Sequence, residues 1–293
     1  MIRIVETPQK WMPKNTFSHP PHQGSNPLIE ERAFAYFSSQ DIKSDYIYIP
    51  IQWTTYHCNN RFGKDTEKVK ELQNWCNSLT EKFPNEKFFT VVQYDDGTLV
   101  SIDRCKVFAS SNSSKSPKSD TTEYVPIPLL SQPHSGQIVQ DKKYKVGFVG
   151  RNDTHKMRKE MIEKLQGNLD YKFVVNISGD LTSPMREVGF NSIFGLAPRG
   201  YGPASFRMYE TMQMGGIPIY ISDEFWLPFA DKIDWEKAAL LVKDTKIETI
   251  PKLVDDLIES GEYKNYQEYG KMVYDKYLTW DGTLNQIAQS ISK

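Results

Sequence analysis

Cysteine is scarce in this chain: three residues, Cys58, Cys76 and Cys105, are scattered through 293 positions. They form no CxxC pair and no even framework, which excludes a disulfide scaffold and a cysteine-based zinc site and fits a reducing compartment. An excess of one charge is missing too. The formal net charge is −1, so nothing overall invites nucleic acid or an anionic membrane. No run is apolar enough to span a bilayer, and the opening "MIRIVETPQKWMPKN" lacks the apolar core of a signal peptide. The expectation is therefore a soluble, cytoplasmic chain, in which the sequons at Asn112, Asn152 and Asn176 are chance matches. No Gly-Lys-Ser/Thr follows any glycine turn, so there is no Walker loop, and no internal repeat is visible.

What is present is an ordinary globular mixture, 39% hydrophobic and 25% charged, arranged as alternating strand and helix patterns. "IRIVE", "YIYIPIQW", "KFFTVVQ" and "KVFAS" read as strands, and "LIEERAFAYFSSQ" and "DTEKVKELQNWCNSLTEKF" as helices. Glu30 and Glu31 open the first of these helices and are read as complementing its dipole. The Pro-rich, aperiodic "VPIPLLSQPHSGQIVQDKK" reads as a passage between two domains. The alternation then restarts with strands "YKVGFVG", "YKFVVNIS", "IFGLAP" and "IPIYIS", with helices between and after them. This predicts an α/β class: two Rossmann-like domains with parallel sheets facing a cleft.

One segment carries chemistry. The strand "IFGLAP" ends at Arg199, the loop Gly200-Tyr201-Gly202-Pro203-Ala204 follows, and Ser205 is a good N-cap for the next helix. A strand, a glycine turn and a helix N-terminus make a site for an anion. Arg199 and Arg207 flank it, as bidentate partners for phosphate oxygens. Glu210, three residues after Arg207, projects from a similar face and is suited to the two hydroxyls of a ribose. Taken singly, Arg207 and Glu210 make an ordinary i,i+3 ion pair on a solvated face. Taken together, the residues ask for a diphosphate carrying a ribose.

The stretch "FGLAPRGYGPASFRMYETMQMGGIPIYISDEFWLPFADKIDW" resembles the signature of exostosin-like glycosyltransferases of family 47, and "KVGFVGRNDTHKMRKEMIEKL" and "FFTVVQYDDG" are weaker echoes of it. The resemblance implies an inverting glycosyltransferase of the GT-B type. It implies an acceptor-binding domain over 1–140, a nucleotide-sugar domain over 141–270, and a last helix over 271–293 that packs back toward the first. By position, Arg151, Arg199, Gly200, Ser205 and Arg207 would meet the diphosphate, Glu210 the ribose, and Asp223 and Glu224 the base or sugar. Arg151 is otherwise a surface arginine, and Asp223-Glu224 otherwise a turn. The membrane anchor and stem of typical eukaryotic members are not expected here; the sequence looks more like compact members encoded by chloroviruses or bacteria, and in such viruses the resemblance implies a role in building capsid glycans in the host cytoplasm. UDP-xylose is the donor this suggests first, ahead of UDP-glucose, UDP-galactose and UDP-glucuronate, with a sugar on a glycan as acceptor.

Inverting transfer needs a base on the acceptor hydroxyl and stabilisation of the departing diphosphate. Arginines and a helix N-terminus can supply the second without a metal, so no metal or other cofactor is expected. For the base, Asp95 and Asp96 come first, at the end of the strand "FFTVVQ", where a side chain points into the crevice of a parallel sheet. A plain tight turn is the competing reading. His57 is second choice, and His19 and His22 lie in a loop that could line the acceptor site. A catalytically silent sugar-nucleotide or glycan-binding protein, and a phosphorylase-like or hydrolytic enzyme, are the rival functions.

Overall fold

The computed structural model describes residues 2–16, 27–117, 119–177 and 181–293. In chain order the elements are β1 (Arg3–Ile4), α1 (Ile29–Ser39), β2 (Tyr46–Tyr48), α2 (Trp53–Asn59), α3 (Thr66–Lys82), β3 (Lys87–Val92), β4 (Cys105–Ala109) and β5 (Thr122–Pro126). There follow β6 (Tyr144–Gly150), α4 (Lys156–Leu165), β7 (Tyr171–Val175), α5 (Thr182–Phe190), β8 (Ser192–Pro198), α6 (Phe206–Gln213) and β9 (Ile217–Ser222). The chain ends with α7 (Trp235–Ala238), β10 (Leu240–Lys243), α8 (Ile250–Ser260), α9 (Tyr263–Tyr277) and α10 (Trp280–Ile291). It divides into two compact units: residues 2–16, 27–128 and 280–293 in the first, and 129–279 in the second.

The first unit holds a five-stranded sheet in the order β1-β2-β3-β4-β5, with every pair parallel. Its central strand β3 is buried from Phe88 to Val92, as a run interrupted only by Thr90, whose hydroxyl donates to Ile49 O, demands of a strand covered on both faces. The expected strand "YIYIPIQW" is shorter than its apolar run: pairing stops at Tyr48 and a helix begins at Trp53. The Pro-rich passage also yields a strand, because its first residues complete β5. Edge position is what lets Pro126 sit there, since a proline cannot donate to a ladder on both sides.

The second unit is a parallel sheet in the order β10-β9-β8-β6-β7. From β6 the chain winds outward to β7, then crosses back to β8 and continues the other way. The strand order therefore reverses between β6 and β8, and a ligand of such a sheet binds outside the carboxyl ends of the strands at that switch point. One face is sealed by Val146, Phe148, Phe194, Leu196, Ile217, Ile219 and Ile221, alternating along β6, β8 and β9, against Met157, Met161 and Leu165 of α4. On the other face α6 lies close to β8. A Cβ added to Gly195 would stand 2.2 Å from Thr211 Oγ1, so only glycine lets the helix sit there. The close approach fixes the start of α6 over the end of β8.

Candidate functional site

The switch point collects arginines. Arg207, in the first turn of α6, donates from Nε to Val149 O at the end of β6, 2.6 Å away. Arg158, on α4, donates to three carbonyls at the same edge: Nε to Arg199 O at 2.8 Å, Nη2 to Pro198 O at 3.0 Å and Nη1 to Arg151 O at 3.2 Å. It ties the end of β8 to the loop after β6 and was not singled out from sequence. Arg199 leaves β8 half-buried, ion-pairs with Asp223 and donates from Nη2 to Tyr201 O at 3.1 Å. Its Nε is buried without a hydrogen-bond partner.

The loop between Arg199 and α6 is held by Tyr220, whose hydroxyl donates to Pro203 O at 2.7 Å and accepts from Trp226 N at 3.1 Å. Burial pushes that phenol up to about 12, so it stays a neutral donor. Gly200 sits in an ordinary conformation, and a Cβ there would be 3.6 Å from Arg158 Nη2. Ser205 occupies the N-cap position with extended backbone, yet its side chain makes no capping bond. The expected cap is corrected accordingly: the hydroxyl is 3% exposed and has no partner. A buried orphan donor at the start of a helix, between two arginines, is a fitted place for an anion's oxygen.

Arg207 and Glu210 do pair, but not on a solvated face. Glu210 is 1% exposed, and its Oε1 lies 2.9 Å from His134 Nε2 and 3.3 Å from Ser131 Oγ. The carboxylate is thus gripped from α6 and from the segment after residue 128. His134, which nothing in the sequence marked, shares its buried environment. Asp223 is held below the ordinary carboxyl range. Its partial burial pushes upward, and the bond and charge of Arg199 outweigh that. Lys243 Nζ donates to Asp223 O at 2.7 Å and lies 4.5 Å above the Phe225 ring. Glu224 is exposed beside it. Arg151 points outward and is clamped by Asp153 at 2.5 and 2.8 Å. The second unit therefore brings Arg199, Gly200, Ser205, Arg207, Glu210 and Asp223 to one edge, with Arg151 at its exposed rim.

In the first unit, the Asp95-Asp96 turn follows β3. Asp96 is buried, its Oδ1 accepting from Ser113 Oγ and its Oδ2 3.8 Å from Lys115 Nζ. Asp95 is half-buried. His57 lies inside α2, not after a strand. It is fully buried, with Nε2 donating to Thr98 O at 2.9 Å, and burial pushes its pKa down to about 4. His19 and His22 lie outside the described residues. Glu30 departs from its expected role. Rather than facing solvent at the helix start, it is 1% exposed, and its Oε1 accepts from Thr54 N (3.1 Å), Thr54 Oγ1 (2.6 Å) and Gln93 N (3.0 Å). Glu31 does cap α1, accepting from Leu28 N at 2.9 Å. The signal for Glu30 was its place on the same helical stripe as Ala33 and Phe37, both buried. Among the described residues no group of three or more His, Cys, Asp or Glu could hold a metal ion, and no helix is long and apolar enough to cross a membrane.

The class this defines is an α/β protein with arginines and a helix N-terminus brought together at the switch point of a doubly wound parallel sheet. Residues 22–257 match the family model described as the Exostosin GT47 domain, and the chain belongs to that family. It is similar to the exostosin-1 homolog of Caenorhabditis elegans, 41% identical over 88 residues, which is 30% of this chain and 23% of that protein. It is also similar to a probable glucuronosyltransferase of Oryza sativa subsp. japonica, 42% identical over 69 residues, 24% of this chain and 16% of that protein. The matches thus span about a quarter or less of these relatives' length. Among solved structures it is similar to the pneumococcal O-GlcNAc transferase GtfA in complex with UDP and GlcNAc, with a TM-score of 0.45 at 9% identity, over 88% of this chain and 58% of that one.

Proposed function

We propose that this chain is an inverting glycosyltransferase of the GT-B type that moves a sugar from a UDP-sugar to a hydroxyl of a glycan. The observation that carries the reading is the unpartnered, buried Ser205 hydroxyl at the start of α6, flanked by Arg199 and Arg207 at the switch point. The family membership and a relative named as a glucuronosyltransferase support the same class.

In this reading the diphosphate lies across the start of α6. Ser205 Oγ donates to one phosphate oxygen, and Arg199 turns from Asp223 to another. Arg207, held on Val149 O and Glu210, adds a fixed charge. These groups stabilise the negative charge that grows on the diphosphate as its bond to the anomeric carbon breaks, so no metal is needed. The ribose hydroxyls replace the contacts of Ser131 and His134 on Glu210, and Asp223 and Glu224 face the sugar or base. The proton acceptor belongs to the first unit, whose strand ends and first helix carry Asp95, Asp96 and Glu30. UDP-xylose is the first donor, and the resemblance to chlorovirus members makes capsid glycan assembly the setting.

The test is nucleotide release from UDP-xylose, UDP-glucose, UDP-galactose and UDP-glucuronate, with and without EDTA and with methyl glycosides as acceptors. Release from one donor, unchanged by EDTA, is expected. Binding without release would favour a silent sugar-nucleotide-binding protein. Release of free sugar undiminished by any acceptor would favour a hydrolase. Failure of every nucleotide sugar to bind would end the reading of Arg199 to Glu210.

A further inference from the structure

The first unit also holds polar atoms that its own fold leaves unused. Glu30 Oε2, both amide atoms of Gln93, His57 Nδ1 and Ser111 Oγ are buried and have no hydrogen-bond partner. They are not scattered. Gln93 follows β3 and Ser111 follows β4, and Ser110 N bonds Val92 O at 2.9 Å, which keeps these two strand ends side by side. Glu30 is fixed to the same place by Gln93 N, and to α2 by Thr54. His57 lies one turn further along α2, its ring 5.1 Å from that of Tyr94. The residues that carry these atoms thus all lie at or beside the carboxyl edge of a parallel sheet, where ligands of such sheets bind.

Unmade bonds of this kind cost stability, and a fold keeps them where something else completes them. The chemistry of the set selects the ligand. With Nε2 of His57 donating to Thr98 O, Nδ1 is an acceptor, like Glu30 Oε2 and Gln93 Oε1. Gln93 Nε2 and Ser111 Oγ donate. A phosphate would meet a carboxylate and no cation among these residues. A metal ion would meet one carboxylate and an amide NH2, and no metal-holding group is present among the described residues. Adjacent sugar hydroxyls, each both donor and acceptor, match the alternation.

We propose that this edge is the acceptor-sugar site, with Glu30 Oε2 taking the proton of the attacking hydroxyl and Gln93 orienting its neighbour. The assignment rests on the transferase reading above. The hydroxyl oxygen forms a bond to the anomeric carbon, and the bond from that carbon to the diphosphate oxygen breaks. The electron pair leaves with UDP, and the proton passes to the Glu30 carboxylate and then to solvent. Burial raises the carboxyl of Glu30 above its ordinary range, which makes it the stronger base.

Wild type, E30Q and Q93M are compared by melting temperature without ligand, thermal shift with UDP, and UDP release from UDP-xylose, or whichever of the four donors wild type accepts, with methyl β-D-xyloside or methyl β-D-galactoside as acceptor. E30Q retains an oxygen for Thr54 and Gln93 N, so it should fold and shift with UDP as wild type does. Its turnover should fall by about 100-fold or more, as loss of a general base does. Q93M removes two unmade bonds. It should melt at or above the wild-type temperature while the KM for the methyl glycoside rises. A folded E30Q with near wild-type turnover, or a Q93M that melts several degrees lower, overturns the assignment. If wild type shows no shift with UDP, the donor reading fails, and the Q93M melting temperature still decides whether Gln93 is merely structural.

Discussion

Replacing Ser205 with alanine separates two accounts of one hydroxyl. If it caps α6 in solution, S205A loses a capping bond worth about 1 kcal/mol. In a chain of this size that lowers the melting temperature by roughly 2–4 °C. The geometry gives the other account: no capping bond exists, and the oxygen is 3% exposed with no partner. A buried group left unpaired costs about 1–3 kcal/mol, so its removal should leave the ligand-free protein as stable as before or more so. The loss should appear on binding instead. A hydrogen bond to a charged oxygen is worth about 1.5–3 kcal/mol, which is about 10- to 150-fold in Kd. Calorimetric titration of UDP into wild type and S205A, beside scanning calorimetry of both without ligand, reads the two quantities separately. A lower melting temperature with unchanged Kd would refute the reasoning and return Ser205 to an ordinary cap.

Arg207→Ala should weaken UDP binding by about 100-fold and also destabilise the free protein by up to roughly 3–5 kcal/mol, because it removes the charge partner of the buried Glu210 carboxylate and leaves Ser131 and His134 to hold it; urea melts and titration check both. Gly195→Ala should cost about 1–3 kcal/mol by driving α6 off β8, and T211A in the same chain should restore part of it, since the collision is with the Thr211 side chain. His57 has a folded pKa near 4, against 6.5 for the free side chain. Its contribution is complete above the unfolded value and is lost as pH falls from about 7 toward 4, because the unfolded chain takes up the proton first. From the size of that shift, about 2 kcal/mol should go between pH 7.5 and 5, and H57Q should remove this part of the slope in urea melts at the two pH values.

Much of the architecture was legible because largely apolar runs such as "KFFTVVQ" and "IPIYIS" have the pattern of strands covered on both faces of a parallel sheet. The elements that escaped are those with weak local signals. α5 carries Pro184 and Gly189, β10 has four residues, and β5 ends in the proline that marked its surroundings as a linker. The residues proposed to hold the diphosphate could be grouped from sequence because they lie within twelve positions, from Arg199 to Glu210. His134 and Arg158 could not, since their partners lie 76 and about 40 residues away, and no local pattern encodes such a meeting. Glu30 was read by its place at a helix start, when its position on the apolar stripe was the better guide.

The last helix has a consequence for how the chain is made. α10 belongs to the first unit, where Trp280 lies under the Arg32 guanidinium at 4.5 Å, Asn285 accepts from Tyr36 Oη at 2.7 Å and Ile291 O accepts from Ser44 Oγ at 2.6 Å. The whole second unit is therefore spliced into the first. On the ribosome, where domains ordinarily close in the order they emerge, the earliest segments of this chain must wait for the latest. Residues 129–279 can complete their sheet while α1 still exposes the face meant for α10. A released chain truncated after Thr279 should thus show a protease-resistant second unit beside a first unit that is still cut, the reverse of the order in which they were synthesised.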